Sequence, residues 1–411
     1  MSLVTDKYAK TATYIKNSWQ KAIINKEDAE LPELYVAPFV PPCVNGAFKV
    51  LFYWDTFFTN RGLITDGQTG LAKNNVDNLI FALNKFGFVP NALSVSGTRW
   101  CSQPPFLHFM VRDVYEKTLD EEWLKNAYFA LKKEYAFWQT ERTTKTGLNR
   151  YFHLPTDKDS LSGFYDYVAG RLKLSIDLSK EEKARLAENY IAVAESGLDF
   201  SPRFCDFGAD IIPVDLNANL YGLEKDLLEW SHKFEPQTTV DYEKALNLRK
   251  TLMDRYLLGK DGLYHDYDYV RCEQNTTCFS GQFMPYITGI ANDKGTLKKL
   301  LTALEKEHGI TNTEEYKDVR ITYQWAYPNT WAPDNYLCVL ASEKNGLFAE
   351  AERIARKYME NVADTYIKTG RLWEKYDGVK GGVAESNEYS MTEMLGWTGG
   401  VYSYFYETYK I

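Results

Sequence analysis

The stretch KTGRLWEKYD, residues 368 to 377, is foreshadowed twice in the chain, by KTGLNRY at 145 to 151 and by KDGLYHDYDY at 260 to 269. Each copy follows a helical stretch, turns on a glycine and continues as a short extended piece rich in tyrosine. Gly147, Gly262 and Gly370 lie 115 and 108 residues apart, about the length of two helical hairpins. Three such units make six hairpins. Six helical hairpins in series can close into an (α/α)6 toroid, in which inner helices bury their second face and the loops of one rim surround a cavity. An open solenoid is the other arrangement that this periodicity allows.

The helices between these turns are written in apolar spacing. Leu216, Leu220, Leu223, Leu227 and Trp230 recur every three or four residues after Asp215, which is read as an N-cap. Tyr8, Ala12, Ile15, Trp19 and Ile23 repeat the pattern, as do Ala72, Val76, Leu79 and Leu83 before a stop at Gly87. Ser179 with Glu182 forms a capping box for a helix that ends at Gly197. Strand-like alternation is rare and short, so the expected class is all-α with short β pieces at the rim.

The chain has 411 residues, of which 45% are hydrophobic and 15% aromatic, enough for a large core, and no linker divides it. Residues 1–411 are therefore read as one domain. A net charge of −8 without any cluster of Lys and Arg argues against a nucleic-acid partner. No run of eighteen apolar residues predicts a membrane span, and no basic and apolar leader pattern is seen, so the expected location is the cytoplasm. Six scattered cysteines and five histidines without metal-ligand spacing predict no metal and no cofactor.

Candidate functional groups fall at helix ends: Trp54 and Asp55 in FYWDTFF, Asn91 in GFVPNAL, Gln103 in CSQPPF and Asp199 in AESGLDFSPRF. Loops at the mouth of a scaffold are where such groups concentrate. A lone Asp beside a helix start is as readily a cap. With no triad, phosphate loop or dinucleotide fingerprint, carboxylates are the natural catalysts, and aromatic loops beside them suggest sugar. A pyranose offers C–H faces for stacking and hydroxyls for amides and carboxylates. YQWAYPNTWAP, residues 323 to 333, would supply Trp325 and Trp331 for stacking, unless both rings wedge between helices. Glycoside hydrolysis needs two carboxyl groups with opposed roles, and Glu374 in WEKYD and Glu388 in NEY are available partners.

Taken together, AESGLDFSPRF, GRLWEKYD and GWTGGV resemble the trehalase family and, beyond it, related inverting α-glycosidases such as mannosylglycerate hydrolase. The resemblance runs in order from LPELYVAPFV through FYWDTFF, GFVPN, SQPPF, LNRY, ESGLDFSPR, IIPVDLN and QWAYPNTWAP to WEKYD, NEY and GWTGGV. It implies an (α/α)6 toroid and hydrolysis with inversion at the anomeric carbon. By motif position it makes Asp199 the general acid, Glu374 the general base that activates water, and Glu388 a substrate-binding glutamate. The sugar-contacting positions it implies are Phe48, Trp54, Asp55, Asn91, Ser102, Gln103 and Gly197, and the GWTGGV match adds Trp397.

The departures concern charge. The family's arginines are replaced by Ala47 and by Cys101, and the Arg-Pro-Glu stretch expected after LNRY is absent from FHLPTDKDSLSG. Val50 stands where a Glu normally follows the first signature, and Ala326 where QWAYP usually has Asp. Arg99, Arg320 and Lys49 are candidate substitutes. The partner expected is a small carbohydrate, trehalose or a near relative. Glucosyl- or mannosyl-glycerate, an α-oligosaccharide, and a sugar-binding protein without catalysis stand as alternatives.

Overall fold

The computed structural model describes residues 3–44, 48–204, 207–316, 323–385 and 388–410. Fourteen helices organise these residues: α1 (Leu3–Ala22), α2 (Tyr53–Thr65), α3 (Thr69–Phe86), α4 (Leu107–Thr118), α5 (Glu121–Glu141), α6 (Lys158–Leu172), α7 (Lys180–Glu195), α8 (Val214–Phe234), α9 (Thr239–Tyr256), α10 (Met284–Thr288), α11 (Lys294–Leu304), α12 (Ala332–Lys344), α13 (Phe348–Thr369) and α14 (Gly396–Tyr409). Helices α2, α4, α8, α10, α12 and α14 touch one another in that order, and α14 returns to α2, so the inner ring closes. The toroid is present and the open solenoid is not.

Burial separates inner from outer helices. In α2 the run Tyr53 to Asn60 is buried on every side, as a helix enclosed all round must be. Outer helix α13 buries one stripe, through Ala351, Ile354, Ala355, Tyr358, Met359 and Val362, and turns its charged residues outward. The joint where the ring closes is made by glycine: a Cβ on Gly62 would fall on the α14 backbone at Gly400, and one on Gly400 would fall on the carbonyl of Phe58.

The three echoes follow outer helices α5, α9 and α13, with Gly147, Gly262 and Gly370 at φ of +84°, +88° and +69°. The extended pieces are β1 (Ile211–Ile212), β2 (Asp266–Asp268), β3 (Glu273–Asn275), β4 (Glu305–Lys306), β5 (Gly309–Ile310), β6 (Asn329–Trp331) and β7 (Lys375–Asp377). All pair antiparallel: β1 with β2 and β2 with β3, β4 with β5, and β6 with β7. The last pair sets Trp331 opposite Lys375, which ties the aromatic loop to WEKYD.

Two local expectations change. Asp215 is not a cap: Pro213 holds that position, and Asp215 accepts from Arg203 at 2.7 Å beside the buried Arg203–Asp266 pair. Trp54 and Asp55 lie inside the first turn of α2 rather than before it. Helices α6 and α7 stand outside the twelve of the ring and pack mainly on each other. Among the described residues no helix is long and apolar enough to cross a membrane.

Candidate active site

The α6–α7 hairpin delivers Asp199. Ser179 and Glu182 form the capping box that starts α7, and the helix ends at Glu195. That glutamate is fully buried and takes both arms of Arg142 at 2.9 Å, with the backbone N–H groups of Ser102 at 2.9 Å and Phe152 at 2.7 Å. A buried carboxylate with this many donors is a fixed point. Gly197 then turns the chain at φ +75°, where any Cβ would meet the Trp54 indole at 2.7 Å. Two residues on, the Asp199 side chain is 34% exposed. Its Oδ2 accepts from Arg171 Nη1 at 2.7 Å, and its carbonyl accepts from Arg171 Nη2 at 2.7 Å and Gln324 Nε2 at 2.5 Å.

Glu374 arrives from the ring, immediately before β7, and only 3% of it is exposed. Its Oε1 accepts from the Tyr389 hydroxyl at 2.8 Å, while Oε2 is buried with no hydrogen-bond partner among the described residues. Burial pushes its carboxyl up to about 7, and the charge of Asp199 adds to the shift against the pull of Lys375, Tyr389 and Arg171. Asp55 is pushed up to about 8 by burial, with Glu374 and Asp199 contributing. Glu388 is raised by burial against the pull of Arg171, whose Nε donates to its Oε2 at 2.8 Å. Asp199 thus lies within electrostatic reach of Asp55, Glu374 and Glu388, and Asp55 within reach of Glu374.

Two cations answer them. Arg171 loses solvent, which works against its charge, yet Asp199 and Glu388 hold its proton more firmly than usual. Lys375 is fully buried, donates to Gln324 Oε1 at 2.9 Å and stands 4.9 Å over the Trp331 ring. Burial lowers its pKa, opposed by Glu374 and Glu388.

The aromatic loop behaves differently from the expectation of a stacking surface. Trp325 and Trp331 are 2% and 1% exposed and lie face to face, centroids 3.8 Å apart. One face of Trp331 is covered by Trp325, and Lys375 stands over the same ring. Trp54 and Trp397 close on Trp325 at 5.8 Å and 6.1 Å. The loop is a bracket whose working residue is Gln324. Its amide joins Asp199 to Lys375, its backbone N–H donates to Glu388 Oε1 at 3.0 Å, and its carbonyl accepts from Asn329 and Trp331.

Some of the remaining predicted positions bond to these residues or to one another, and others do not. Gln103 Oε1 accepts from the Trp54 backbone N–H at 3.0 Å, the Asn91 N–H donates to the Cys101 carbonyl at 3.0 Å, and Trp397 Nε1 donates to the Glu374 carbonyl at 3.0 Å. The Ser102 hydroxyl is committed to the Val89 carbonyl at 2.6 Å, a structural use. Phe48 is half-buried and meets Phe52 edge-on at 5.5 Å. Lys49 is exposed, and Arg99 lies over Trp100 at 4.7 Å. Ala47 and Arg320 lie outside the described residues. Arg171, Gln324, Lys375 and Tyr389 are not among the residues that the sequence singles out. The last three adjoin residues that are, whereas Arg171 lies in α6, outside every motif quoted from the sequence.

Compared with known proteins, residues 2–410 match the model of the trehalase family. The chain belongs to the trehalase family. It is 28% identical to a periplasmic trehalase of Xanthomonas oryzae pv. oryzae over 90% of its own length and 67% of the relative's. It is 29% identical to a trehalase of Apis mellifera over 92% of its length and 65% of that protein. The chain therefore spans about two thirds of these relatives. Among solved structures, neutral trehalase from Saccharomyces cerevisiae superposes with a TM-score of 0.76 at 23% identity, covering 95% of this chain and 78% of that one. Mannosylglycerate hydrolase from Thermus thermophilus superposes with a TM-score of 0.65 at 15% identity, covering 96% and 99%. These likenesses establish the toroid and, with the family, a glycoside hydrolase. The Xanthomonas relative is named a periplasmic trehalase, and the cytoplasmic location stays an expectation of the sequence.

Proposed function

We propose that this trehalase-family chain, as one catalytic domain, hydrolyses a small α-glucoside, trehalose or a near relative, by single displacement with inversion. Asp199 is the general acid and Glu374 the general base that activates water. The observation that carries this reading is the meeting of two carboxyl groups in opposed settings. Asp199 is partly open to solvent and held by Arg171, and Glu374 is sealed in the ring with one oxygen unpaired among the described residues. A base works best when it titrates near the working pH, and burial brings Glu374 to about 7. Its unpaired oxygen supports a role in receiving a water proton.

Acid duty requires Asp199 to hold a proton and to face the glycosidic oxygen, so Arg171 must release Oδ2 as substrate binds, and the proton that Asp199 gives to the leaving oxygen is replaced by the one Glu374 takes from water. Arg171 and Gln324 position Asp199, and Tyr389 positions Glu374. In the same reading Asp55, Gln103, Asn91, Glu388 and the Trp54–Trp397 wall meet the sugar. Arg171 is already committed to two carboxylates and Lys375 to Gln324, which favours a neutral aglycone over a glycerate.

The test is a panel of α-linked disaccharides and glycosyl-glycerates, with proton NMR recording which anomer appears first. Release of β-glucose from an α-disaccharide is the expected result. From trehalose the leaving ring departs as α-glucose in either case, so α-glucose alone, without an equal amount of β-glucose, would remove the single-displacement mechanism. Cleavage of the glycerates alone would change the substrate, and binding without turnover of any glycoside would leave a sugar-binding protein.

A further inference from the structure

Lys375 has no task in the reaction above, although it follows Glu374 directly in the chain and is fully buried. Its Nζ stands in an aromatic corner, 4.9 Å from the Trp331 centroid and 5.4 Å from that of Tyr389. Among the described residues it donates to one acceptor, Gln324 Oε1 at 2.9 Å. Aromatic faces attract a cation, but an ammonium bonded only to a neutral amide is costly to bury unless its charge is answered nearby. A methionine of the same length would fill the corner without that cost. Burial works to strip Lys375 of its proton, and Glu374 and Glu388 oppose it. Tyr389 brings cation and carboxylate to one ring: its hydroxyl donates to Glu374 Oε1 at 2.8 Å while Lys375 stands over it.

A second effect runs through Gln324. A lysine ammonium only donates and a backbone carbonyl only accepts, so an amide whose Oε1 faces Lys375 must turn Nε2 to the Asp199 carbonyl. Reversed, it would set N–H against ammonium and oxygen against oxygen. On the reading of Glu374 as the base, we propose that Lys375 is a positioning residue for both carboxyl groups: a buried ammonium that is the fixed counter-ion of the Glu374 carboxylate and locks the Gln324 amide toward Asp199. A base must be ionised before it can take a proton from water, and a permanent cation beside it keeps it so. Burial raises the Glu374 carboxyl; Lys375 opposes this most strongly, ahead of Tyr389 and Arg171, while Asp199 adds to the rise. Asp55 and the Cys43 thiol also feel the charge of Glu374, and Arg171 and Asp199 that of Lys375.

The experiment compares the pH profile of kcat/KM in the wild type, Lys375→Met, Lys375→Arg and Gln324→Leu. An opposite charge close to a carboxyl lowers it by ~1–3 pH units, so the acid limb in Lys375→Met should move up by about one unit or more. Lys375→Arg keeps a cation that packs on aromatic faces and should leave the limb in place. Gln324→Leu keeps the charge and unties the amide, so the rate should fall about 2- to 10-fold with the limb unmoved. A limb that stays put in Lys375→Met, or that moves as far in Lys375→Arg, overturns the counter-ion and leaves a lysine that only packs. Wild-type rate in Gln324→Leu overturns the lock.

If Lys375→Met does not fold, or no glycoside is turned over, the wild type decides. The nitrogen NMR resonance of Lys375 Nζ, assigned by its loss in Lys375→Arg, should titrate together with the Glu374 carboxyl and lose that step in Glu374→Gln. A neutral amine at pH 7, or an ammonium that ignores Glu374, overturns the proposal. Full activity of Glu374→Gln would instead remove the base reading, and the Nζ titration, which needs no substrate, would still judge the ion pair.

Discussion

Asp199 and Glu374 serve one site from opposite kinds of ground. Asp199 hangs from the α6–α7 hairpin, outside the twelve helices of the ring, a third of its side chain in solvent, and Arg171 and Gln324 hold it by ion pair and carbonyl. Glu374 sits where β7 joins the ring, 3% exposed, its carboxyl bonded among the described residues to a single hydroxyl. One carboxyl is ion-paired to Arg171, and the other is sealed from solvent, which raises it.

The sharpest way to break this contrast is to remove either carboxyl. Asp199→Asn and Glu374→Gln should each lower kcat by at least ~10²- to 10⁴-fold, the usual yield of acid–base catalysis, with far-UV circular dichroism unchanged. Near-wild-type turnover in either variant would sink the assignment.

The next effect tests the cation. Arg171→Ala removes donors to two carboxylates, and hydrogen bonds to charged groups are worth ~1.5–3 kcal/mol, so kcat/KM should fall ~10- to 100-fold. Arg171→Lys should recover part of the loss, because a point charge replaces a forked donor. Equal loss in both would mean that the forked geometry alone matters.

Smaller still is the tyrosine on the ring side. Tyr389→Phe removes the bond that holds the Glu374 charge down, so the pKa of Glu374 rises further. The acid limb of the kcat/KM profile, which the wild type should show near pH 7, should move upward. The rate loss should stay under ~10-fold for a hydrogen bond of ~0.5–1.5 kcal/mol. A limb that does not move would detach Glu374 from the base role.

The smallest expected signal is thermal. Burial raises the carboxyls of Glu374, Glu134 and Asp334 to about 7 and that of Asp55 to about 8. Between their ordinary values and these, the folded chain holds more protons than the unfolded one, so stability falls as pH rises. Tm should decline from about pH 5 to about pH 8, and Glu374→Gln should flatten part of that slope.

Much of the ring is legible in the sequence because its cues are local. The glycine turns after α5, α9 and α13, the capping box at Ser179 and the stop at Gly87 each depend on neighbours within one turn. The collinear motifs also carry Asp199, Glu374 and Glu388 to one place. What escapes depends on partners far along the chain. Arg171 finds its carboxylates 28 and 217 residues away, and no periodicity announces that. Asp215 reads as a cap because a capping Asp and an ion-paired Asp look alike until Arg203 is in view. The tryptophans of 323–333 mislead for a related reason: richness in aromatics says nothing of which face is covered, and Trp325 and Trp331 cover each other.

The glycine joint between α2 and α14 has a reach beyond packing. Trp397 rides on α14 and donates to the carbonyl of Glu374, so shear between the two helices is passed through one indole to the Glu374 backbone. A methyl group at Gly400 would jack the seam apart and drag that carbonyl with it. In the proposed mechanism, closing the ring at this glycine seam is also what seats the Glu374 backbone.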